Sequence, residues 1–213
     1  HHTSGLRDYI DLARLAGSDF TTHFGQKDAI EIILSQPTLN FEPGIEHLYC
    51  NSGYILLTTI IERVSGQAFG EFAKEQIFNP LGMEDTRFYD GTESPAKGRV
   101  TGYHSDASGD VIRDRTTFFT IGDGGLLTTV DDLHLWDQNF YKNMLLGKAT
   151  TNLMLTSCKL NSGEDTKYGF GLVFGDYKGL RTIHHAGEWV GYRTDMIRFP
   201  DQHFSVICLS NLG

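Results

Sequence analysis

The spacing of apolar residues changes once along this chain, and that change limits the possible folds most. Up to residue 167 the apolar residues recur mostly at helical spacing, whereas after it they alternate with polar residues or glycine, as in strands. Helices come first and strands last, without strand–helix alternation. The sequence therefore predicts an α+β fold, with a mostly helical lobe over residues 1–167 and antiparallel strands over residues 168–213, both parts of one domain.

Four helices are predicted in the first part of the chain. The second should be buried, because its apolar residues follow helical spacing, and Gly66 is placed to end it. The fourth should begin after Thr129, since a threonine followed three residues later by an acid is typical of a helix N-terminus. The predicted helices cover residues 27–36, 52–65, 68–78 and the run from Thr129 through Phe140.

Strand periodicity is strongest at the carboxyl end of the chain. β-branched and aromatic residues alternate there, and a Pro-Asp-Gln turn separates the last two runs. The predicted strands cover residues 170–174, 181–185, 194–199 and 204–209, and a shorter hairpin is predicted within residues 103–112.

Composition excludes several classes of function. A net charge of −9 and a pI near 5.4 argue against a nucleic-acid surface, which would need a basic face. No run approaches the roughly 18 apolar residues of a membrane-spanning helix. The three cysteines are far apart, so neither a zinc–thiolate site nor a disulfide framework is indicated, although a single disulfide stays open. The histidines show no metal-binding spacing, and no metal or other cofactor is predicted.

The stretch Tyr49-Cys50-Asn51 is a candidate chemical site. A phenol and a carboxamide two residues apart, just ahead of a predicted helix, can point into one pocket. Each residue also has a simpler interpretation, since such a tyrosine is more often a packing residue, an asparagine here is often a helix N-cap, and an isolated cysteine is usually a small apolar side chain.

Six segments, in order, resemble the serine β-lactamase and penicillin-binding-protein family, in its branch of class C β-lactamases, esterases and D-amino-acid peptidases. They extend over nearly the whole chain. The segments are His2–Leu6, Tyr49–Tyr54, Ile77–Met83, Gly124–Leu126 with Thr129–Leu133, Tyr168–Gly171 and His185–Gly187.

The resemblance implies a β-lactamase/transpeptidase-like fold and an acyl-enzyme mechanism with three elements: Ser-x-x-Lys, Tyr-x-Asn and His-x-Gly. Tyr49 then resembles the base and Asn51 the amide that binds substrate. His185 resembles the group that polarises or donates near the nucleophile. Gly187 would let the substrate approach the strand, and the backbone N–H of Glu188 resembles an oxyanion donor.

The Ser-x-x-Lys element has no suitable match. The one such string, Ser94 to Lys97, follows the second element and contains Pro95, so we predict a solvent loop there rather than a nucleophile. By the resemblance, we expect this chain to be a core fragment without turnover, lacking an N-terminal segment with that element and a final helix. One face of the strands from Phe170 to Leu209 should then be uncovered.

The predicted substrates are esters, D-amino-acid amides or peptides, and β-lactams. Esterase or peptidase activity is favoured, because the segment His185–Gly187 lacks both the hydroxyl and the fixed lysine charge with which Lys-Thr-Gly grips a β-lactam carboxylate. The alternative is a non-catalytic relative that binds peptidoglycan-like or peptide ligands in the same cleft. The resemblance also implies a full-length protein outside the cytoplasm, periplasmic or secreted.

Overall fold

The fold combines a helical lobe with an antiparallel sheet. The computed structural model describes residues 1–18, 22–91, 98–114 and 116–213, so the string from Ser94 to Lys97 lies outside the described residues. None of the helices in these ranges is long and apolar enough to cross a membrane. The helices are α1 (Tyr9–Leu15), α2 (Gln26–Leu34), α3 (Ser52–Ser65), α4 (Phe69–Ala73), α5 (Asn79–Leu81), α6 (Val130–Lys142) and α7 (Gly147–Met154).

Short strands occur within the helical lobe, and the long strands follow it. β1 pairs with β5, β2 with β6, and β3 with β4. The strands are β1 (Phe24–Gly25), β2 (Arg87–Phe88), β3 (Gly102–Ser105), β4 (Val111–Asp114), β5 (Phe118–Phe119), β6 (Leu126–Leu127), β7 (Tyr168–Gly169), β8 (Leu172–Tyr177), β9 (Leu180–Trp189), β10 (Tyr192–Phe199) and β11 (Phe204–Ser210).

The carboxyl-terminal sheet confirms three of the four strand predictions, whereas Phe170 and Gly171, predicted to lie in a strand, form the turn between β7 and β8. Its five strands lie in the order β11-β10-β9-β8-β7, and every neighbouring pair is antiparallel. A 3₁₀ turn at Pro200–Gln202 joins β10 to β11, where the turn was expected. The β3–β4 hairpin is also confirmed, and Asp106 accepts the backbone N–H groups of Ser108 and Asp110 in its turn. The α+β prediction is therefore correct.

Helix α3 begins and ends as predicted, and Gly66 ends it with a left-handed φ of 71°. The expected burial is correct for one face only. Ser52, Ile55 and Thr58 are buried, whereas Val64 on the opposite side is 84% exposed. Period alone marks where the apolar residues lie around a helix, but not which of them a neighbouring element covers.

The third predicted helix is longer than expected. It was expected to end at Phe78, but a π-helical turn over Lys74–Phe78 carries α4 into α5, which ends at Leu81 before the left-handed Gly82. Pro80 has no N–H to bond to the preceding turn, and it directly follows the π turn, where the i→i−4 pattern is already interrupted. Buried Phe78 and Leu81 hold this extension against α6 through Trp136.

Helix α6 has the predicted N-cap, because Thr129 Oγ1 accepts the backbone N–H of Asp132 at 3.1 Å. The same helix joins the lobe to the sheet. The carboxylate of its Asp137 pairs with the guanidinium of Arg198 on β10 and accepts the hydroxyl of Ser205 on β11. Among the described residues, the three cysteines are free.

Candidate active site

The Tyr49-Cys50-Asn51 stretch leads directly into α3. Tyr49 is 49% exposed, whereas Cys50 is buried. The amino-terminal segment fixes this alternation, because the Leu48 N–H donates to the carbonyl of His2 and the Cys50 nitrogen lies 3.0 Å from His2 Nδ1. The Tyr49 phenol packs against the His2 imidazole, with ring centroids 4.2 Å apart, and stays half exposed.

Asn51 occupies the N-cap position of α3, as that interpretation expects, but its side chain makes no capping hydrogen bond. Its backbone N–H and its Nδ2 both donate to Oδ2 of Asp8, the latter over 2.9 Å. Asp8 itself caps α1 by accepting the N–H of Ile10. One carboxylate thus holds both the start of α1 and the amide predicted to bind substrate.

His185 comes from strand β9 and lies beside Tyr49, with ring centroids 6.2 Å apart. Its Nδ1 is 2.7 Å from the carbonyl oxygen of Ala186, and its Nε2 is 3.1 Å from the hydroxyl of Tyr168. Donation from His185 to a substrate therefore requires one of these two contacts to be given up. The structure brings the second and third predicted elements together.

Gly187 has a structural reason to be glycine. A Cβ placed there would clash with the hydroxyl oxygen of Thr194, its cross-strand partner on β10. Alternation along β9 puts Gly187 on the same face as His185 and puts Glu188 on the opposite face. The Glu188 side chain pairs there with Arg193 at 2.9 Å. Only the backbone of Glu188 remains available for the predicted oxyanion contact.

The electrostatic environment of Tyr49 favours the protonated phenol. Burial raises the pKa of Tyr49 above its ordinary value, and the carboxylates of Asp123 and Asp8 and the Tyr54 phenol raise it further. A cation beside Tyr49 would oppose these effects and lower its pKa. The charge around the phenol thus suits a positively charged partner.

Asp123, which the sequence analysis did not select, is a further part of this site. Tyr9 donates its hydroxyl to Asp123 Oδ2 at 2.6 Å and lies 2.9 Å from the hydroxyl of Thr120. Asp123 Oδ1 is buried and makes no hydrogen bond among the described residues. Burial raises the pKa of this carboxyl, and the Tyr9 hydroxyl opposes the rise. The signals in the sequence were the Gly-Asp-Gly-Gly run and the position of Tyr9 just after His-Thr-Ser-Gly.

The loop that carries Asp123 is fixed by its neighbours. Gln26 on α2 bonds both backbone groups of Ile121, accepting its N–H at 3.0 Å and donating to its carbonyl at 3.3 Å. Gly122 packs so closely on α3 that a Cβ there would clash with Thr58, and its φ of 106° is one that side chains rarely adopt. The carboxylate is consequently held in place against the start of α3.

Comparison with known proteins gives one consistent family. Residues 1–213 match the Beta-lactamase family. The chain is 35% identical over 228 residues to penicillin-binding protein 4* of Bacillus subtilis, covering 99% of this chain and 50% of that protein. It is 32% identical over 219 residues to a D-aminopeptidase of Cereibacter sphaeroides, covering 98% of this chain and 40% of that protein. The chain thus spans half or less of these relatives.

Solved structures show the same fold. The octameric penicillin-binding protein homologue from Pyrococcus abyssi superposes with a TM-score of 0.82 at 27% identity, over 99% of this chain and 50% of that one. A penicillin-binding protein from Bacillus halodurans gives a TM-score of 0.80 at 26% identity, over 100% and 66%.

Proposed function

We propose that this chain, which belongs to the Beta-lactamase family, forms part of a serine hydrolase that works through an acyl-enzyme. The observation that carries the proposal is the meeting of Tyr49 and His185, from two distant segments, beside the backbone of Gly187 and Glu188. The activity proposed is that of the whole protein, of which these residues supply the Tyr-x-Asn and His-x-Gly elements. The 213 residues by themselves are proposed not to turn over substrate.

The serine and lysine of the mechanism are proposed to come from a part of the protein outside these 213 residues. Two features support this. The relatives are about twice as long as the aligned chain or longer, and Asp8 and Asp123 make the surroundings of Tyr49 negative. A lysine among these groups would lower the Tyr49 pKa and allow the phenolate to take the serine proton.

The other groups have matching roles in acyl transfer. Asn51, held by Asp8, would orient the substrate through the part of its amide that Asp8 leaves free. The Glu188 N–H would stabilise the oxyanion, because fixed backbone donors act strongly where charge develops. Because Gly187 has no side chain, it leaves space for the substrate beside this donor. The His185 imidazole would adjust the charge felt by Tyr49 rather than contact the substrate in the arrangement observed.

The substrates proposed are D-amino-acid amides or peptides and esters, in preference to β-lactams. A relative at 32% identity is named a D-aminopeptidase. The carboxylates Asp8 and Asp123 near Tyr49 attract the ammonium of an amino-acid amide and repel the carboxylate of a β-lactam. Ala186, in place of a threonine, also removes a hydroxyl that would grip that carboxylate. Action outside the cytoplasm is proposed on the family resemblance.

Covalent labelling of the full-length protein tests this proposal. A fluorophosphonate and a fluorescent penicillin are each reacted with it, and the labelled peptide is identified by mass spectrometry. We expect one labelled serine, in a Ser-x-x-Lys string outside residues 1–213, and faster hydrolysis of D- than of L-amino-acid amides. Replacing Ser94 by alanine is the matched control and should leave labelling unchanged.

Two outcomes would contradict the proposal as stated. Labelling that disappears in Ser94→Ala would place the nucleophile in this chain and contradict its proposed location outside residues 1–213. Saturable binding of a D-amino-acid amide without labelling or hydrolysis would instead support a non-catalytic ligand-binding relative, the alternative from the sequence.

A further inference from the structure

A continuous chain of hydrogen-bonding groups runs behind Tyr49. The hydroxyl of Tyr168 stands between two imidazoles, 3.1 Å from Nε2 of His185 and 2.9 Å from Nε2 of His2. At one end, Nδ1 of His185 meets the carbonyl oxygen of Ala186 at 2.7 Å. At the other end, Nδ1 of His2 lies 3.0 Å from the backbone nitrogen and 3.1 Å from the carbonyl oxygen of Cys50.

The proton positions follow from what each group can donate. A carbonyl oxygen only accepts, so Nδ1 of His185 carries a proton. When His185 is neutral, its Nε2 has no proton and accepts the hydroxyl proton of Tyr168. The Tyr168 oxygen then accepts Nε2–H of His2, and the bare Nδ1 of His2 accepts the N–H of Cys50. Every donor in this arrangement has an acceptor.

A second arrangement fits the same positions when His185 gains a proton. Nε2 of His185 then donates to the Tyr168 oxygen, and the Tyr168 hydroxyl turns to Nε2 of His2. His2 stays neutral with its proton on Nδ1, where the Cys50 carbonyl accepts it. One proton is taken up from solvent in total, and the Cys50 N–H, whose nitrogen is 3.0 Å from Nδ1, gives up its acceptor. The backbone of Cys50 offers both a donor and an acceptor to Nδ1, as the two arrangements require.

We propose that Tyr168 couples the protonation state of His185 to the tautomer of His2. Tyr168 and His2 are positioning residues in this scheme, since they act through His185. We call this chain of hydrogen-bonding groups, from Ala186 to Cys50, the relay. It ends at the buried backbone of Cys50, the middle residue of Tyr-x-Asn. The two family elements are therefore joined by a relay behind the cleft as well as by the contact between the rings of Tyr49 and His185.

The surroundings of the relay favour a neutral His2. Burial lowers the pKa of His2 below its ordinary value, so the ring stays uncharged at neutral pH. Among the described residues, the titratable groups facing the two imidazoles are the phenols of Tyr49 and Tyr54 and the ring of His47. Tyr54 is the competing acceptor, because its hydroxyl interacts with that of Tyr168.

Only the catalytic consequence of the relay rests on the proposed function. Protonated His185 would place a positive charge 6.2 Å, ring to ring, from Tyr49 and oppose the effect of Asp123. The tautomers themselves can be measured without substrate. Failure of covalent labelling would thus reject the hydrolase and leave the relay standing, and the reverse also holds.

The test is histidine NMR of the protein labelled with nitrogen-15 histidine, using two-bond proton–nitrogen correlations that show which ring nitrogen carries the proton. The titration runs over the pH range in which the protein stays folded. We expect the His2 proton to change from Nε2 at high pH to Nδ1 at low pH, with the same midpoint as protonation of His185. Tyr168→Phe should abolish this change, whereas Tyr177→Phe, on an exposed phenol, should not.

The wild-type titration decides the question even if Tyr168→Phe does not fold. A His2 tautomer that stays constant while His185 titrates would overturn the proposal and indicate that the Tyr168 proton turns to Tyr54 instead. Coupling that persists in folded Tyr168→Phe would overturn it as well.

Discussion

Asp123 lies in an environment unlike that of an ordinary exposed carboxylate. It lies on a loop held by Gln26, it accepts one hydrogen bond from Tyr9, and its other oxygen has no hydrogen-bond partner among the described residues. Burial raises its pKa. Burying the charged Asp123 carboxylate costs free energy. Its presence near Tyr49 therefore supports the idea that the site works with a positive charge nearby.

The raised pKa of Asp123 predicts a pH-dependent stability. A carboxyl with a raised folded-state pKa stabilises the fold fully below its ordinary pKa of about 3.9, and this contribution is lost as pH rises through the folded pKa. Asp123→Asn removes the dependence and keeps an acceptor for Tyr9. Its free energy of unfolding, relative to wild type, should therefore increase from pH ~4 to pH ~7 in urea titrations.

Asp110→Asn, in the exposed hairpin turn, is the matched control and should show no such trend. A difference between Asp123→Asn and wild type that is constant or decreases over the same range would contradict the buried, uncompensated charge.

At the scale of secondary-structure elements, one buried ion pair joins helix α6 to the sheet. The guanidinium of Arg198 and the carboxylate of Asp137 are almost fully buried, with side-chain exposures of 3% and 5%. The rings of Phe140 and Tyr141 lie 4.3 and 4.9 Å from the guanidinium carbon. The pair fixes how the helix meets β10, the strand next to the one that carries His185.

Asp137→Ala should destabilise the protein by about 3–5 kcal/mol, because it leaves Arg198 charged, buried and unpaired. Chemical denaturation of both proteins measures the difference. Asp11→Ala removes the partner of an exposed pair with Arg14, and the change there should be about 0.5 kcal/mol or less. Equal effects of the two substitutions would mean that the buried pair does not hold the lobe to the sheet.

The elements that could be predicted from sequence are those with local signals. The β-alternation after Tyr168, the Gly66 stop and the Thr129 cap each depend on a few neighbouring residues, and the structure confirms them. Helix α7 was not predicted, since its threonines and glycine have weak helix preference. The π turn in α4–α5 was missed because it depends on packing against α6.

The candidate site likewise combines residues that could be selected from the sequence with contacts that could not be predicted from it. The resemblance selected Tyr49 and His185, and the structure places them together. The contacts of His2 with Tyr168 and of Tyr9 with Asp123 join residues far apart in sequence. Contacts of that kind arise from how the lobe packs on the sheet, which no short pattern encodes.

At the scale of the whole molecule, one face of the sheet is open, as expected from the sequence. Apolar side chains on this face are exposed, among them Tyr177 at 53%, Phe204 at 56% and Val206 at 45%. Ile60 of α3 is similarly exposed, at 54%. Because the aligned relatives are about twice as long or longer, we propose that further parts of the protein cover these surfaces and bring the serine and lysine to Tyr49.

The rate of acylation in Tyr49→Phe tests the central claim most directly. Stopped-flow measurement with a fluorescent acylating substrate, on the full-length protein, compares this variant with wild type and with Tyr177→Phe. If Tyr49 is the base, its loss should slow acylation by about 10²–10⁴-fold, while Tyr177→Phe acylates at the wild-type rate. Acylation of folded Tyr49→Phe within a few-fold of wild type would show that Tyr49 is a packing residue and would contradict the mechanism.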